Sequence, residues 1–102
     1  MSDIKSTRTL REMIDEAAVR WAHFHARVSV WDNHEDREAA KRWRHTFNYL
    51  CVGTAYEDID IAKYVKTNKP EAIQYAKISA DAQAERYGER IDWTEISSEF
   101  CD

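Results

Sequence analysis

Hydrophobic residues in the first third of the chain recur at alternating steps of four and three positions. This spacing puts them along one side of a helix for about three heptads, so we predict a first helix at about residues 8 to 31. Thr9 and Glu12 fit a capping box at its start. The apolar positions are Leu10, Ile14, Ala17, Trp21, Phe24, Val28 and Trp31.

The same kind of pattern predicts a second helix at about residues 34 to 52. Asp32 or Asn33 can cap this helix, and Gly53 is its expected stop. The alternative is that the helix continues through Gly53, at a cost of about 1 kcal/mol relative to alanine. Its apolar side carries Ala39, Ala40, Trp43, Phe47 and Leu50.

Two more helices are predicted in the second half of the chain. Thr54 and Glu57 fit a capping box for a third helix that ends at about Lys66. Pro70 suits the first turn of a fourth helix, which we place at about residues 70 to 87 with Gly88 as its stop. Their core-facing residues are Tyr56, Ile59, Ala62 and Val65 in the third helix and Ile73, Ala76, Ala80, Ala84 and Tyr87 in the fourth.

The predicted fold class is all-α, a small helical bundle of three to four main helices plus a short C-terminal helix. That last helix carries Trp93, Ile96 and Phe100, which should fold back on the bundle because exposure of three large apolar groups is costly. Only two glycines and one proline are present, which favours long helices over a turn-rich β fold. We predict a single helical domain over residues 1–102.

The charge of the chain limits its general affinities. The net charge of −4 gives no overall attraction to nucleic acid or to an anionic membrane. Nine Lys/Arg against eight Asp/Glu in residues 1–53 give +1, and six against eleven in residues 54–102 give −5. Two cysteines are too few for a disulfide framework, and the first residues lack the layout of a signal peptide, so we expect a cytoplasmic protein. No apolar run approaches the roughly 18 residues of a membrane helix.

The stretch "KRWRHTFNYLC" mixes basic and aromatic residues, as a nucleic-acid site does. A helix turns by about 100° per residue, so Trp43 faces the same side as Phe47, and the charges face another side. We therefore predict that Trp43 belongs to the core. The other side is a basic stripe, either a solvated face or a docking strip for an acidic protein or nucleic acid. The stripe comprises Arg37, Lys41, Arg44 and Asn48.

Two further sets of residues are candidates for binding. Glu57, Asp58 and Asp60 either favour the dipole of a helix N-terminus or form an acidic patch for a basic partner. A second apolar side of the first helix is either buried inside the bundle or covered by another copy or partner. That self-association set comprises Val19, Ala22, Ala26 and Val30, with a weaker counterpart in Tyr75, Ile78 and Ala82.

The spacing of reactive residues predicts no catalytic residue, no metal site and no cofactor. His23 and His25 lie roughly 160° apart around a helix, and His34 and His45 lie about 16 Å apart along one. Glycine-rich phosphate loops and the HExxH motif are absent from the sequence.

We therefore expect a non-enzymatic protein-binding module that blocks a surface of another macromolecule. Small helical proteins without catalytic motifs are often inhibitors or adaptors of the phage or mobile-element type, and that association suggests this class. The alternative is a helical protein that binds nucleic acid or nucleotides through the basic stripe, either as a single chain or as a homodimer that doubles the stripe.

Overall fold

The computed structural model describes residues 8–96, and this part of the chain folds into an all-α bundle without strands. This architecture confirms the predicted fold class. The elements are α1 (Leu10–Trp31), α2 (His34–Cys51), α3 (Ile61–Asn68), α4 (Pro70–Arg86) and a 3-10 turn at Trp93–Glu95.

The ends of α1 and α2 follow from local side-chain chemistry. Thr9 and Glu12 form the predicted capping box, in which each side chain accepts the other residue's backbone N–H. Of the two candidate caps for α2, Asn33 is the one used, and its side chain accepts from the N–H groups of Glu35 and Asp36. The helix ends at Cys51 and does not continue through Gly53, whose φ of +81° is a left-handed conformation that favours glycine.

The predicted start of the third helix is wrong, because its cap is six positions after Thr54 and α3 begins at Ile61. Thr54 Oγ1 accepts from the N–H of Tyr56 and donates to the carbonyl of Cys51, which makes a turn in place of a helix cap. Asp58 has a φ of +69°, which a right-handed helix cannot contain. The actual cap is Asp60, whose carboxylate accepts from the N–H of Lys63.

The long helix α1 lies at the centre and runs antiparallel to α2. Arg27 near the end of α1 pairs with Asp36 near the start of α2, with 3.2 Å between Nε and Oδ2. Arg20, about two turns earlier in α1, lies over the ring of Trp43, about two turns later in α2, with its guanidinium carbon 5.4 Å from the ring centroid. From the first pair to the second, the residue number falls in α1 and rises in α2, so the two helices are antiparallel.

The fourth helix runs parallel to α1 on another side. Arg27 Nη1 donates to Gln83 Oε1, and Trp31 Nε1 donates to Glu89 Oε1 at 3.2 Å. The residue number rises from Arg27 to Trp31 in α1 and also from Gln83 to Glu89 in their partners, so α4 runs in the same direction as α1. Alanines along one side of α4 are buried as predicted, whereas Tyr87, which we expected on that side, is exposed.

All four helices contribute residues to one core. Phe47 and Tyr64 are its largest fully buried side chains, and their rings meet edge to face with centroids 5.1 Å apart. Trp43 is half-buried and packs against this core, in agreement with the prediction. Trp93 also packs against it, whereas Phe100 lies outside the described residues.

Candidate functional site

The last turns of α2 and the chain segment before α3 enclose a cavity of about 500 Å³, which we name the α2 cleft. It joins parts of the basic stripe and of the acidic patch, which the sequence analysis treats as separate surfaces. Its lining residues are Arg44, Asn48, Val52, Glu57, Asp58, Ile59, Asp60 and Ile61.

The backbone between the two helices brings these side chains together. The left-handed residues Gly53 and Asp58 turn the chain twice within a few positions. Glu57 reaches back, and its Oε1 accepts from the N–H of Gly53 at 3.2 Å. Asp60 is exposed and also caps α3. The three carboxylates therefore lie on a short, tightly turned segment that faces the end of α2.

The rest of the basic stripe lies outside the cleft. Arg37 lies about two turns before Arg44 in α2, and its Nη2 donates to Asp32 Oδ1 at 2.7 Å. Lys41 is exposed and does not line the cleft. The predicted stripe is therefore divided: Arg44 and Asn48 line the same cleft as the carboxylates, and Arg37 forms an ion pair with Asp32, the C-cap residue of α1.

Two exposed apolar residues at the end of α2 were not predicted from the sequence: Val52, and Tyr49, which directly follows the lining residue Asn48 in the chain but does not itself line the cleft. Tyr49 is 75% exposed, and Val52, one turn later, is exposed and lines the cleft. Both lie outside the apolar stripe of α2. An aromatic residue away from the core-facing side of a helix is the signal that could have identified them.

A second cavity of about 680 Å³ lies between α1 and the start of α4. Its apolar lining includes Val19, Phe24 and Tyr75. Its charged groups largely satisfy one another, since Glu16 accepts hydrogen bonds from Arg8 and Arg20. These bonds lower the pKa of Glu16. The remaining lining residues are Glu12, Asp15, His23 and Lys69.

The predicted self-association set is mostly used inside the bundle. Ala22 and Ala26 are fully buried within the single chain. Val30 is half-buried, and Val19 alone of the four remains 38% exposed. The bundle itself therefore buries the central part of the second apolar side of α1, and a second copy cannot contact the two alanines.

Polar groups also meet at the junction of α1 and α3, which we name the α1–α3 corner. The hydroxyl of Tyr64 donates to Asp15 Oδ1 at 2.5 Å, and Arg11 Nη1 donates to the hydroxyl of Tyr56 at 3.1 Å. Burial, followed by the hydrogen bond to Asp15, raises the pKa of Tyr64. Asn68 donates to the carbonyl of Tyr64, which completes the corner.

No protein-family model, curated protein or solved structure matches this chain. The function must therefore be inferred from the surfaces of the molecule itself.

Those surfaces hold little that resembles a reactive centre. Within residues 8–96, no group of three or more His, Cys, Asp and Glu side chains is arranged to hold a metal ion. Burial raises the pKa of the Cys51 thiol, which disfavours the reactive thiolate. Burial, and then the charge of Arg27, lowers the pKa of His23. In the same part of the chain, no helix has the length and apolar character needed to cross a membrane.

Proposed function

We propose that this chain is a non-enzymatic protein-binding module that covers a surface of another protein through the α2 cleft. The observation that supports this proposal is the position of Arg44 and Asn48 in one cleft with three carboxylates, beside exposed Tyr49 and Val52. Tyrosine and arginine are the residues most often found as energetic anchors of protein interfaces, and a polar rim commonly surrounds them.

The mixed charge of the cleft favours a protein over a nucleic acid. A phosphate backbone would meet Glu57, Asp58 and Asp60 as soon as it approached Arg44. Nucleic-acid affinity depends on neutralising phosphates with several cations, and Arg37 is already paired with Asp32. A protein surface can instead offer both signs of charge around an apolar pocket.

Binding of this kind needs no reactive group in the chain. We propose the role of a small inhibitor or adaptor, of the phage or mobile-element type, which blocks a surface that its target needs for another interaction. The apolar side chains of Tyr49 and Val52 would enter the target, and the cleft charges would fix the orientation.

Affinity capture with point variants tests the proposal. We expect the wild-type chain to retain a specific protein from the lysate of its natural host, and Tyr49→Ala and Arg44→Glu to lose it by tenfold or more, as anchor residues do. Tyr87→Ala is the matched control, because Tyr87 is also an exposed tyrosine but lies far from the cleft at the end of α4. Capture of no specific protein, or equal capture by all variants, would contradict the proposal.

The nucleic-acid alternative is tested on the same material. Binding to duplex, single strand and free nucleotide is measured at two salt concentrations. Salt-sensitive binding that disappears when Arg37, Lys41 and Arg44 are all replaced by alanine would favour that alternative over the protein-binding proposal.

A further inference from the structure

The outward side of α4 carries an apolar strip that the bundle does not cover. Tyr75 is 74% exposed and Ile78 is 65% exposed, and Ala82 one turn later is also exposed. These residues lie opposite the buried side of α4, which holds Ile73 and the alanines. We name Tyr75, Ile78, Ser79 and Ala82 the α4 strip.

The residues along this strip are complementary to themselves in reverse order. Its midpoint falls between Ile78 and Ser79. Glu71 lies four positions before Tyr75, and Arg86 lies four positions after Ala82. An antiparallel copy centred on that midpoint brings Tyr75 opposite Ala82 and Glu71 opposite Arg86.

We propose that two copies of the chain associate through their α4 strips, antiparallel and about a two-fold axis between Ile78 and Ser79. A two-fold contact uses the same patch on both copies, so every favourable pair occurs twice. The large ring of Tyr75 covers the small Ala82 of the other copy, and the carboxylate of Glu71 meets the guanidinium of Arg86. This interface goes beyond the proposed function, because it uses a face of the molecule away from the α2 cleft.

The neighbouring residues are compatible with this contact. Lys69 Nζ lies 3.9 Å from Glu71 Oε2, a distance at the limit of an ion pair, so Glu71 can still accept a second cation. Val19 and Tyr75 line the same cavity, so the contact can extend from the α4 strip onto α1. That extension accounts for the exposure of Val19, the member of the predicted self-association set that the bundle leaves open.

The expected association is weak, because one helix from each copy forms most of the contact. Interfaces below about 1,200 Å² belong to transient complexes, so we expect a dissociation constant of roughly 10 to 100 µM. The dimer should therefore form at high protein concentration and dissociate on dilution.

Sedimentation equilibrium over a concentration series, with a charge-swap set of variants, tests the interface and its register. Glu71→Arg and Arg86→Glu each place like charges opposite one another, and each should weaken dimerisation by roughly tenfold. The double variant restores opposite charges in reversed order, so it should dimerise like the wild type.

Tyr75→Ala should also weaken the dimer, whereas Tyr49→Ala should leave it unchanged. The two tyrosines have almost the same exposure, 74% and 75%, so they form a matched pair. A wild-type chain that stays monomeric up to about 1 mM, far above the expected constant, would overturn the proposal. A double charge variant that dimerises no better than the single variants would overturn it too. Neither readout requires the partner of the α2 cleft.

Discussion

The α1–α3 corner and the α2 cleft are built from the same kinds of residue and use them differently. Each region contains an arginine and at least one carboxylate. The corner also includes tyrosine, and the cleft has a tyrosine near it. In the corner, Tyr64 is fully buried and its hydroxyl donates to Asp15, so the protein itself satisfies the polar groups. Beside the cleft, Tyr49 is exposed to solvent, and Arg44 faces carboxylates across an open cavity. Tyrosine, arginine and carboxylate side chains stabilise the fold when they are buried with satisfied hydrogen bonds. When they are exposed, they remain available to bind another molecule.

Truncation of the two tyrosines should separate these roles most strongly. Tyr64→Ala removes a fully buried ring and leaves a cavity, so we expect it to lower the free energy of unfolding by about 3 to 5 kcal/mol. Tyr49→Ala should change that free energy by about 0.5 kcal/mol or less, because its side chain is exposed. Urea unfolding followed by circular dichroism measures both values.

A loss of similar size in both variants would mean that Tyr49 belongs to the fold and not to a binding surface. It would also weaken the interpretation of the α2 cleft as a partner site.

A smaller effect is expected when only the hydroxyl of Tyr64 is removed. Tyr64→Phe should lower the free energy of unfolding by about 1 to 2 kcal/mol at neutral pH, because Asp15 loses a buried donor. The raised pKa of Tyr64 means that its hydroxyl stabilises the fold below the ordinary value of 10.0, and that this contribution is lost as the pH rises above it.

The alkaline decline in stability should therefore be shallower in Tyr64→Phe than in the wild type, as measured by urea unfolding at about pH 8 and pH 11. Tyr49→Phe is the matched control and should follow the wild type. Equal slopes for wild type and Tyr64→Phe would contradict the role assigned to the corner.

The smallest expected effect on the free energy of unfolding is that of His23. This side chain is half-buried, between the fully buried Tyr64 and the exposed Tyr49. Its pKa is lowered from 6.5, so the neutral form is favoured in the folded state. This contribution is present above pH 6.5 and is lost as the pH falls below it, because the unfolded chain then binds a proton more readily. His23→Gln should make the decline in stability between about pH 7 and pH 5 shallower. An unchanged decline would show that His23 is as solvated in the folded state as in the unfolded one.

The sequence was sufficient for the helices whose caps and apolar stripes agree. The apolar period agrees with the capping box at the start of α1, with Asn33 and Gly53 at the ends of α2, and with Pro70 and Gly88 at the ends of α4. The predicted start of α3 was wrong because the side chain of Thr54 makes a turn, and because Asp58 adopts a left-handed conformation. Aspartate tolerates that conformation but does not require it, so the residue type alone does not predict it. With the observed start at Ile61, Tyr64 falls on the buried side of α3. Because the predicted start was wrong, the α1–α3 corner was not predicted either.

The candidate site could be predicted only in its components. The basic and acidic residues were recognised, but their convergence depends on how tightly the chain turns between Gly53 and Asp58. The two apolar sides of α1 left both an internal and an external solution open, and the full burial of Ala22 and Ala26 within the single chain supports the internal one at these two positions. Whether side chains converge, and which side of a helix is buried, depends on tertiary contacts. The apolar period of a single helix does not predict those contacts.

The alanine-rich buried side of α4 has a consequence for how the molecule fluctuates. Ile73 is the one large residue among its buried positions, whereas those of α1 include Ile14 and Trp21, so α4 gains less apolar burial per turn than α1. We expect α4 to detach from the bundle in local unfolding events at a lower free energy than global unfolding. A second copy bound through the α4 strip requires α4 to be docked, so association and local order should reinforce each other.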